Sequence, residues 1–138
     1  MSTPDSPGPR RWILVVDDDA RLRGLWIESL TAAGFAAVGS EDGIAALELI
    51  RDLYPDLIML DLRMPRMSGT TFLDTIRGHP RWRTIPILIV SAYLGEEGDV
   101  VSTGLNIVGR IEKPARLGEL IERVRAAVGP PGGAPRPA

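Results

Sequence analysis

The sequence predicts an α/β domain: a doubly wound, five-stranded parallel sheet in the order 2-1-3-4-5, with five helices on its two faces. Two observations point there. Short apolar runs of strand length alternate with stretches of helical period, five of each. Residues 13–16, 57–60 and 87–90 are also apolar throughout, as strands covered on both faces are.

Taken in order, residues 13–16 form a β-branched run and the first strand. Residues 20–33 then place Leu22, Leu25, Trp26, Leu30 and Ala33 at helical spacing, and Gly34 suits the residue just past a helix end. Residues 35–38 are a weak second strand. Ile44, Leu47 and Ile50 mark a helix over 43–53, closed by Tyr54-Pro55. Residues 57–60 are the third strand. Ser68-Gly69 opens a third helix with Phe72, Leu73 and Ile76 inward, and Gly78 and Pro80 stop it. Residues 85–90 are the fourth strand, where Pro86 is tolerated near the beginning. A weaker fourth helix is expected over 96–105, with Asn106 in the left-handed conformation at its end. Residues 107–111 are the fifth strand. Leu117, Leu120, Ile121, Val124 and Val128 give a clear fifth helix over 115–128 that stops at Gly129. The ends, 1–10 and 129–138, are rich in Pro and Gly. They bury too little apolar area to offset the entropy of ordering and are expected to be disordered, which leaves one domain over 11–128.

Composition removes several function classes. The absence of Cys excludes disulfides, thiolate zinc sites and Cys nucleophiles. No apolar run approaches the roughly 20 residues of a membrane span. The N-terminal segment has no apolar core of the kind a secretion signal needs, so a cytoplasmic location is expected and no membrane partner. A net charge of −2 and no broad basic face argue against direct nucleic-acid binding. Of 16 Lys and Arg residues the single Lys is Lys113. That asks what an Arg could not do there.

The polar residues answer in part. Asp17, Asp18 and Asp19 follow the first strand, Asp61 the third, Ser91 the fourth and Lys113 the fifth. All lie at the carboxyl edge of the sheet, where such folds bind ligands near the point at which strand order reverses. Each alone is ordinary, since an acid after a strand usually caps a helix or sits in water. Four strands ending in such residues together are not. Clustered carboxylates repel one another unless a cation sits among them, and oxygen ligands suit Mg²⁺. An Asp beside Mg²⁺ can attack phosphorus and form an acyl phosphate. A hydroxyl and a compact ammonium are natural partners for the remaining phosphoryl oxygens.

Ile13-Leu14-Val15-Val16-Asp17-Asp18-Asp19, the run from Pro55 through Asp61-Leu62-Arg63-Met64-Pro65 to Gly69, the stretch Ile85 to Ala92, and Lys113-Pro114 together resemble the response-regulator receiver domain, over roughly residues 12–128. The resemblance implies a flavodoxin-like fold and a stand-alone, single-domain response regulator. Asp61 would accept a phosphoryl group from a sensor histidine kinase or a histidine phosphotransfer protein. Asp17, Asp18 and Asp61, with the backbone carbonyl of Arg63, would hold Mg²⁺. Ser91 would hydrogen-bond the phosphoryl group and Lys113 would pair with it across a cis Lys113–Pro114 bond. The signal would pass by protein–protein contact to a downstream target, from a monomer or weak homodimer. No enzyme activity is implied beyond slow Mg²⁺-dependent self-phosphorylation from small donors and self-dephosphorylation. Asp19 has no family role and is assigned to capping the first helix.

Two positions depart from the family pattern. Arg110 stands three residues before Lys113, where receivers carry Tyr or Phe, and the usual Gly-Ala pair ending the fourth helix is absent. Arg63 and Tyr93, two residues after Asp61 and Ser91, are expected by resemblance at the entry to the phosphoryl group, where their bulk would restrict water. His79 reads as an exposed loop residue, and Trp12, Trp26 and Trp82 as packing residues. Three other functions compete. A pseudo-receiver scaffold would bind partners without phosphorylation, but the intact set of Asp17, Asp18, Asp61, Ser91 and Lys113 argues against it. A haloacid-dehalogenase-type phosphatase needs a second Asp where Arg63 stands. A flavodoxin-like flavin binder needs a phosphate cradle where three aspartates would repel it.

Overall fold

A computed structural model describes residues 11–64, 66–92 and 103–130. Its elements are β1 (Trp12–Val16), α1 (Ala20–Ala32), β2 (Ala36–Ser40), α2 (Gly43–Asp52), β3 (Leu57–Leu60), α3 (Gly69–Arg77), a 3₁₀ turn (Trp82–Thr84), β4 (Pro86–Ser91), β5 (Asn106–Glu112) and α4 (Leu117–Val128). All neighbouring strands pair in parallel, in the order β2-β1-β3-β4-β5, as the sequence predicts.

The strand side chains divide between two apolar layers. Ile13, Val15, Leu57 and Met59 pack with Trp26 and Leu30 of α1 and with Leu120 and Val124 of α4. Leu14, Val16, Ile58 and Leu60 pack with Ala46 and Ile50 of α2 and with Phe72 and Ile76 of α3. Burial on both faces is why these strands show no apolar–polar alternation. Each fully buried Leu, Ile or Val contributes about 1.5–3 kcal/mol.

Side-chain caps start three of the helices. Asp19 accepts from the Arg21 and Leu22 amides at α1, Asp42 from the Ala45 amide at α2, and Ser68 from the Thr71 amide at α3. Gly34 follows α1 with φ 100°, a conformation open to glycine.

Besides shifts of one or two residues at the ends of β1, β4 and α4, the structure differs from the sequence reading in three places. β2 starts one residue later than expected and runs on to Ser40, because its ladder with β1 pairs Trp12 with Ala36 and Val16 with Ser40. Phe35 instead turns into the α1–α4 layer, fully buried. β5 is also longer than expected. Asn106 is its first residue and donates from Nδ2 to the Thr84 carbonyl (3.2 Å), and the left-handed residue is Gly104, at φ 79°. A β-bulge absorbs the extra length: Ile87 pairs with Ile107 but Leu88 with Gly109, so Val108 is skipped. The bulge reverses which face the side chains address. Ile107 packs in the α2–α3 layer and Ile111 in the α1–α4 layer, although they stand four positions apart, an even number. Four α-helices lie among the described residues where five were expected. The helix expected over 96–105 falls outside them except for Thr103, Gly104 and Leu105, which form a turn and bend. Both terminal segments expected to be disordered also lie outside them, apart from Gly129 and Pro130. No described helix is long and apolar enough to cross a membrane.

Candidate functional site

β1, β3, β4 and β5 end at one edge of the sheet and deliver Asp17 and Asp18, Asp61, Ser91 and Lys113 there. The parallel registers set this level: Val16 pairs with Leu60, Leu60 with Ile89, and Val90 with Ile111. One carboxylate oxygen from each of Asp17, Asp18 and Asp61 lies within 4.8 Å of the others. Asp17 and Asp61 are buried and Asp18 is exposed, so the cluster opens to solvent on the Asp18 side.

Each buried group is held by short bonds. Asp17 Oδ1 accepts from the Asp19 amide (2.9 Å), and its carbonyl accepts from Arg23 Nη1 (2.6 Å). Asp61 Oδ1 accepts from the Arg63 amide (3.1 Å). Lys113 Nζ donates to Asp17 Oδ2 (2.8 Å) and to Asp61 Oδ2 (3.2 Å), and it stands 5.5 Å from the centre of the Trp26 ring. The Lys113 amide donates to the Ser91 carbonyl (2.9 Å), and the Lys113–Pro114 peptide is cis, as expected. Ser91 Oγ is fully buried with no hydrogen-bond partner among the described residues. Such a hydroxyl costs about 1–3 kcal/mol until a partner arrives.

The electrostatics follow from three acids facing one ammonium. Burial is the largest influence on Asp61 and pushes its carboxyl above the ordinary value, helped by Asp17, against the pull of the Arg63 amide and Lys113. Burial pushes Lys113 down, but the hydrogen bonds and charges of Asp17 and Asp61 together hold it above its ordinary value. Oxygens this close, on a surplus of negative charge, suit a hard divalent cation.

The loop after β3 is pinned by its surroundings. The Gly69 amide donates to the Leu62 carbonyl (2.9 Å), and a Cβ at Gly69 would stand 2.5 Å from Leu62 Cα and 2.8 Å from the Asp61 carbonyl oxygen. Arg66, at φ 63°, is the one described non-glycine residue with positive φ, and its guanidinium reaches Asp42 Oδ2 and Glu41 Oε1. The Ala45 amide is the main reason that the Asp42 carboxyl lies below the usual range, with Arg66 adding to it.

The structure therefore assembles Asp17, Asp18, Asp61 and Lys113, with Ser91 beside them at the end of β4. Asp19 is the helix cap it was expected to be. Arg63 is exposed and lends its amide to Asp61, and Arg110 is half-buried on β5 opposite Ile89. Tyr93 lies outside the described residues. Trp26 is core, while Trp12 and Trp82 are partly buried against the α2–α3 layer. His79 is half-buried rather than exposed: it stacks on Trp82 at 4.0 Å, and its Nδ1 accepts from the Arg81 and Trp82 amides. Sequence reasoning missed the clamp formed by Arg66, Asp42 and Glu41. Asp42 ahead of Ile44 carries a readable capping signal, but nothing in the sequence pairs it with a residue 24 positions on.

Comparison with known proteins agrees with this geometry. A family description, the response regulator receiver domain, matches residues 13–125. The transcriptional regulatory protein KdpE of Mycobacterium tuberculosis is 34% identical over 117 residues, which cover 84% of this chain and 50% of that protein. A protein-glutamate methylesterase/protein-glutamine glutaminase of Dechloromonas aromatica is 34% identical over 83% of this chain and 36% of its own length. The chain thus spans half or less of the length of these relatives. Among solved structures, a response regulator receiver protein from Pseudomonas putida superposes with a TM-score of 0.78 at 33% identity, covering 86% of this chain and 98% of that one. The response regulator TrrA of Thermotoga maritima, solved in complex with Mg(2+)-BeF, gives 0.73 at 30% identity, covering 85% and 98%. With the family matched over most of its length and its strand order reproduced, the chain belongs to the response regulator receiver domains of two-component systems.

Proposed function

We propose that the chain is a Mg²⁺-dependent phosphoacceptor switch with Asp61 as the acceptor. The observation that carries this reading is the meeting of buried Asp61 with Asp17, Asp18 and the Lys113 ammonium at one sheet edge, beside a buried hydroxyl, Ser91, that has no partner among the described residues. In the forward step a carboxylate oxygen of Asp61 attacks phosphorus of a phosphohistidine, on a sensor kinase or a histidine phosphotransfer protein. The P–N bond breaks and the imidazole leaves with the electron pair. Asp17, Asp18 and Asp61, with the Arg63 carbonyl, are the groups that would hold Mg²⁺. Bound there, it neutralises charge on the transferring oxygens. Lys113, already on Asp61, is placed to follow a phosphoryl oxygen, and Ser91 Oγ gains in the phosphorylated state the partner it lacks. The complex of TrrA with Mg(2+)-BeF supports the assignment by likeness.

The signal then leaves by contact with another protein. The usual receiver route turns an aromatic ring inward. Arg110, half-buried on β5 opposite Ile89, stands where that ring would be, so transmission does not run through an aromatic rotation at this position. The test is incubation with acetyl phosphate and Mg²⁺ followed by intact mass. One phosphate is expected on the wild type and none on Asp61→Asn. An unlabelled wild type would favour a scaffold that works without phosphorylation, and a labelled Asp61→Asn would move the acceptor elsewhere.

A further inference from the structure

We propose that Arg66 is a positioning residue for the divalent-cation site: clamped to Asp42 and Glu41, it holds the loop after β3 in the shape that receives the cation. The inference rests on the functional reading above and extends it to a residue outside the acidic cluster. The ordinary reading of Arg66 is a surface ion pair, since its side chain is 61% exposed and such pairs contribute little. Three observations separate it from that case.

The first is the partner. Asp42 is 1% exposed, and its Oδ1 is already used to cap α2 through the Ala45 amide. Oδ2 is the oxygen that remains, and Arg66 takes it. The second is the backbone. Arg66 adopts φ 63°, a conformation that side chains with a Cβ avoid and that persists only where the surroundings determine it. The third is continuity. Met67 lies over Gly43 so closely that a Cβ there would stand 2.8 Å from its sulfur. Ser40 Oγ donates to the Asp42 carbonyl (2.8 Å), and the Asp17 amide donates to the Ser40 carbonyl (3.1 Å). The loop carrying Asp61 and Arg63 is thereby tied, through the start of α2, to the loop carrying Asp17 and Asp18. Groups that orient metal ligands from outside typically change metal affinity about 10–100-fold when removed. Arg66 acts at one remove, so its effect belongs near the lower end.

Mg²⁺ titration of the full chain by calorimetry tests this without any phosphoryl donor. Arg66→Asn removes the guanidinium and keeps a residue that tolerates positive φ. Asp42→Asn keeps a capping oxygen and removes the charge. The clamp requires both variants to weaken Mg²⁺ binding, by about tenfold. It also requires the double variant to be no weaker than the worse single one. A simple field effect predicts opposite signs, because deleting a positive charge near a cation tightens binding and deleting a negative charge loosens it. Arg66→Asn binding as tightly as the wild type, or more tightly, overturns the proposal, as do losses that multiply in the double variant. Thermal melts show whether each variant is folded, and Arg66→Gly, which relieves the backbone, replaces Arg66→Asn if that variant is not. A wild type with no saturable Mg²⁺ binding overturns both this inference and the functional reading. A wild type that binds, with Arg66→Asn unchanged, overturns the clamp alone.

Discussion

Replacing Gly69 by Ala adds one methyl group where the structure has no room. The new Cβ would lie 2.5 Å from Leu62 Cα and 2.8 Å from the Asp61 carbonyl oxygen, whereas ordinary contact begins at 3.4 Å. Both obstacles are backbone atoms, so no side-chain rotation relieves the clash, and the loop must give way by about 0.9 Å. Two effects oppose each other. Ala favours a helix over Gly by about 1 kcal/mol in a helix interior, and less at a first position such as this. Overpacking costs about 1–3 kcal/mol. The clash wins, with a net loss of about 1–2 kcal/mol and a fall in Tm of roughly 3–10 °C for a domain of this size. The functional effect is the larger one. The displaced segment is the one that carries Asp61, and a misplacement of about 1 Å in a reacting group can cost 100-fold in rate. Phosphorylation of Gly69→Ala from acetyl phosphate is therefore expected to slow by about 10–100-fold while the protein stays folded. The assay is intact mass against time, with a thermal melt of the same sample. A variant with wild-type stability and a wild-type rate would refute the reasoning, because it would mean that the loop moves freely relative to α3.

Other predictions concern the charges. Because burial raises the Asp61 carboxyl above 3.8, the folded state binds that proton more tightly than the unfolded chain, and the Asp61 contribution to stability falls as pH rises from 3.8 through its folded value. In chelator near neutral pH, Asp61→Asn is therefore expected to melt higher than the wild type, with the gap closing toward pH 4; a lower Tm at pH 7 would contradict this. Lys113→Ala leaves buried Asp17 without its ammonium and should cost about 3–5 kcal/mol in chelator. The Lys113 pair, with a pKa held above 10.5, contributes fully below that pH and is lost only as pH rises through the higher folded value, so the deficit should span the neutral range. Added Mg²⁺ should raise the Tm of Lys113→Ala more than that of the wild type, and equal shifts would count against the ammonium as a counter-charge. His79→Ala removes an acceptor shared by two amides and the stack on Trp82, for an expected loss of about 1–2 kcal/mol by urea denaturation, with the phosphorylation rate unchanged.

The parts of this molecule that were legible in its sequence are those fixed by local chemistry. Strands buried on both faces announce themselves as continuous apolar runs, and Asp19 and Ser68 mark helix starts by residue type. Asp17, Asp61, Ser91 and Lys113 were readable because parallel topology puts every strand end on one edge. β5 was misjudged for the opposite reason. The bulge at Val108 is decided by pairing with β4, and no local rule distinguishes Asn106 from Gly104 as the left-handed residue until that register is known. The ion pair between Arg66 and Asp42 joins two loops across the sheet edge and depends on a backbone conformation that Arg seldom adopts. Trp26 reads from the sequence only as a packing residue, and both its place in the core and its place under the Lys113 ammonium depend on how α1 packs against the sheet.

The skipped residue in β5 has a consequence for how copies of this domain meet. β5 is an outer strand of seven residues, long enough to offer a free row of amides and carbonyls to another chain. Val108 interrupts that row after two residues and reverses the side-chain phase, so a visiting strand finds no continuous template. Arg110 and Glu112 then place charge along the remaining stretch. The same irregularity that lets Ile107 and Ile111 fill opposite layers also guards the domain against open-ended stacking edge to edge.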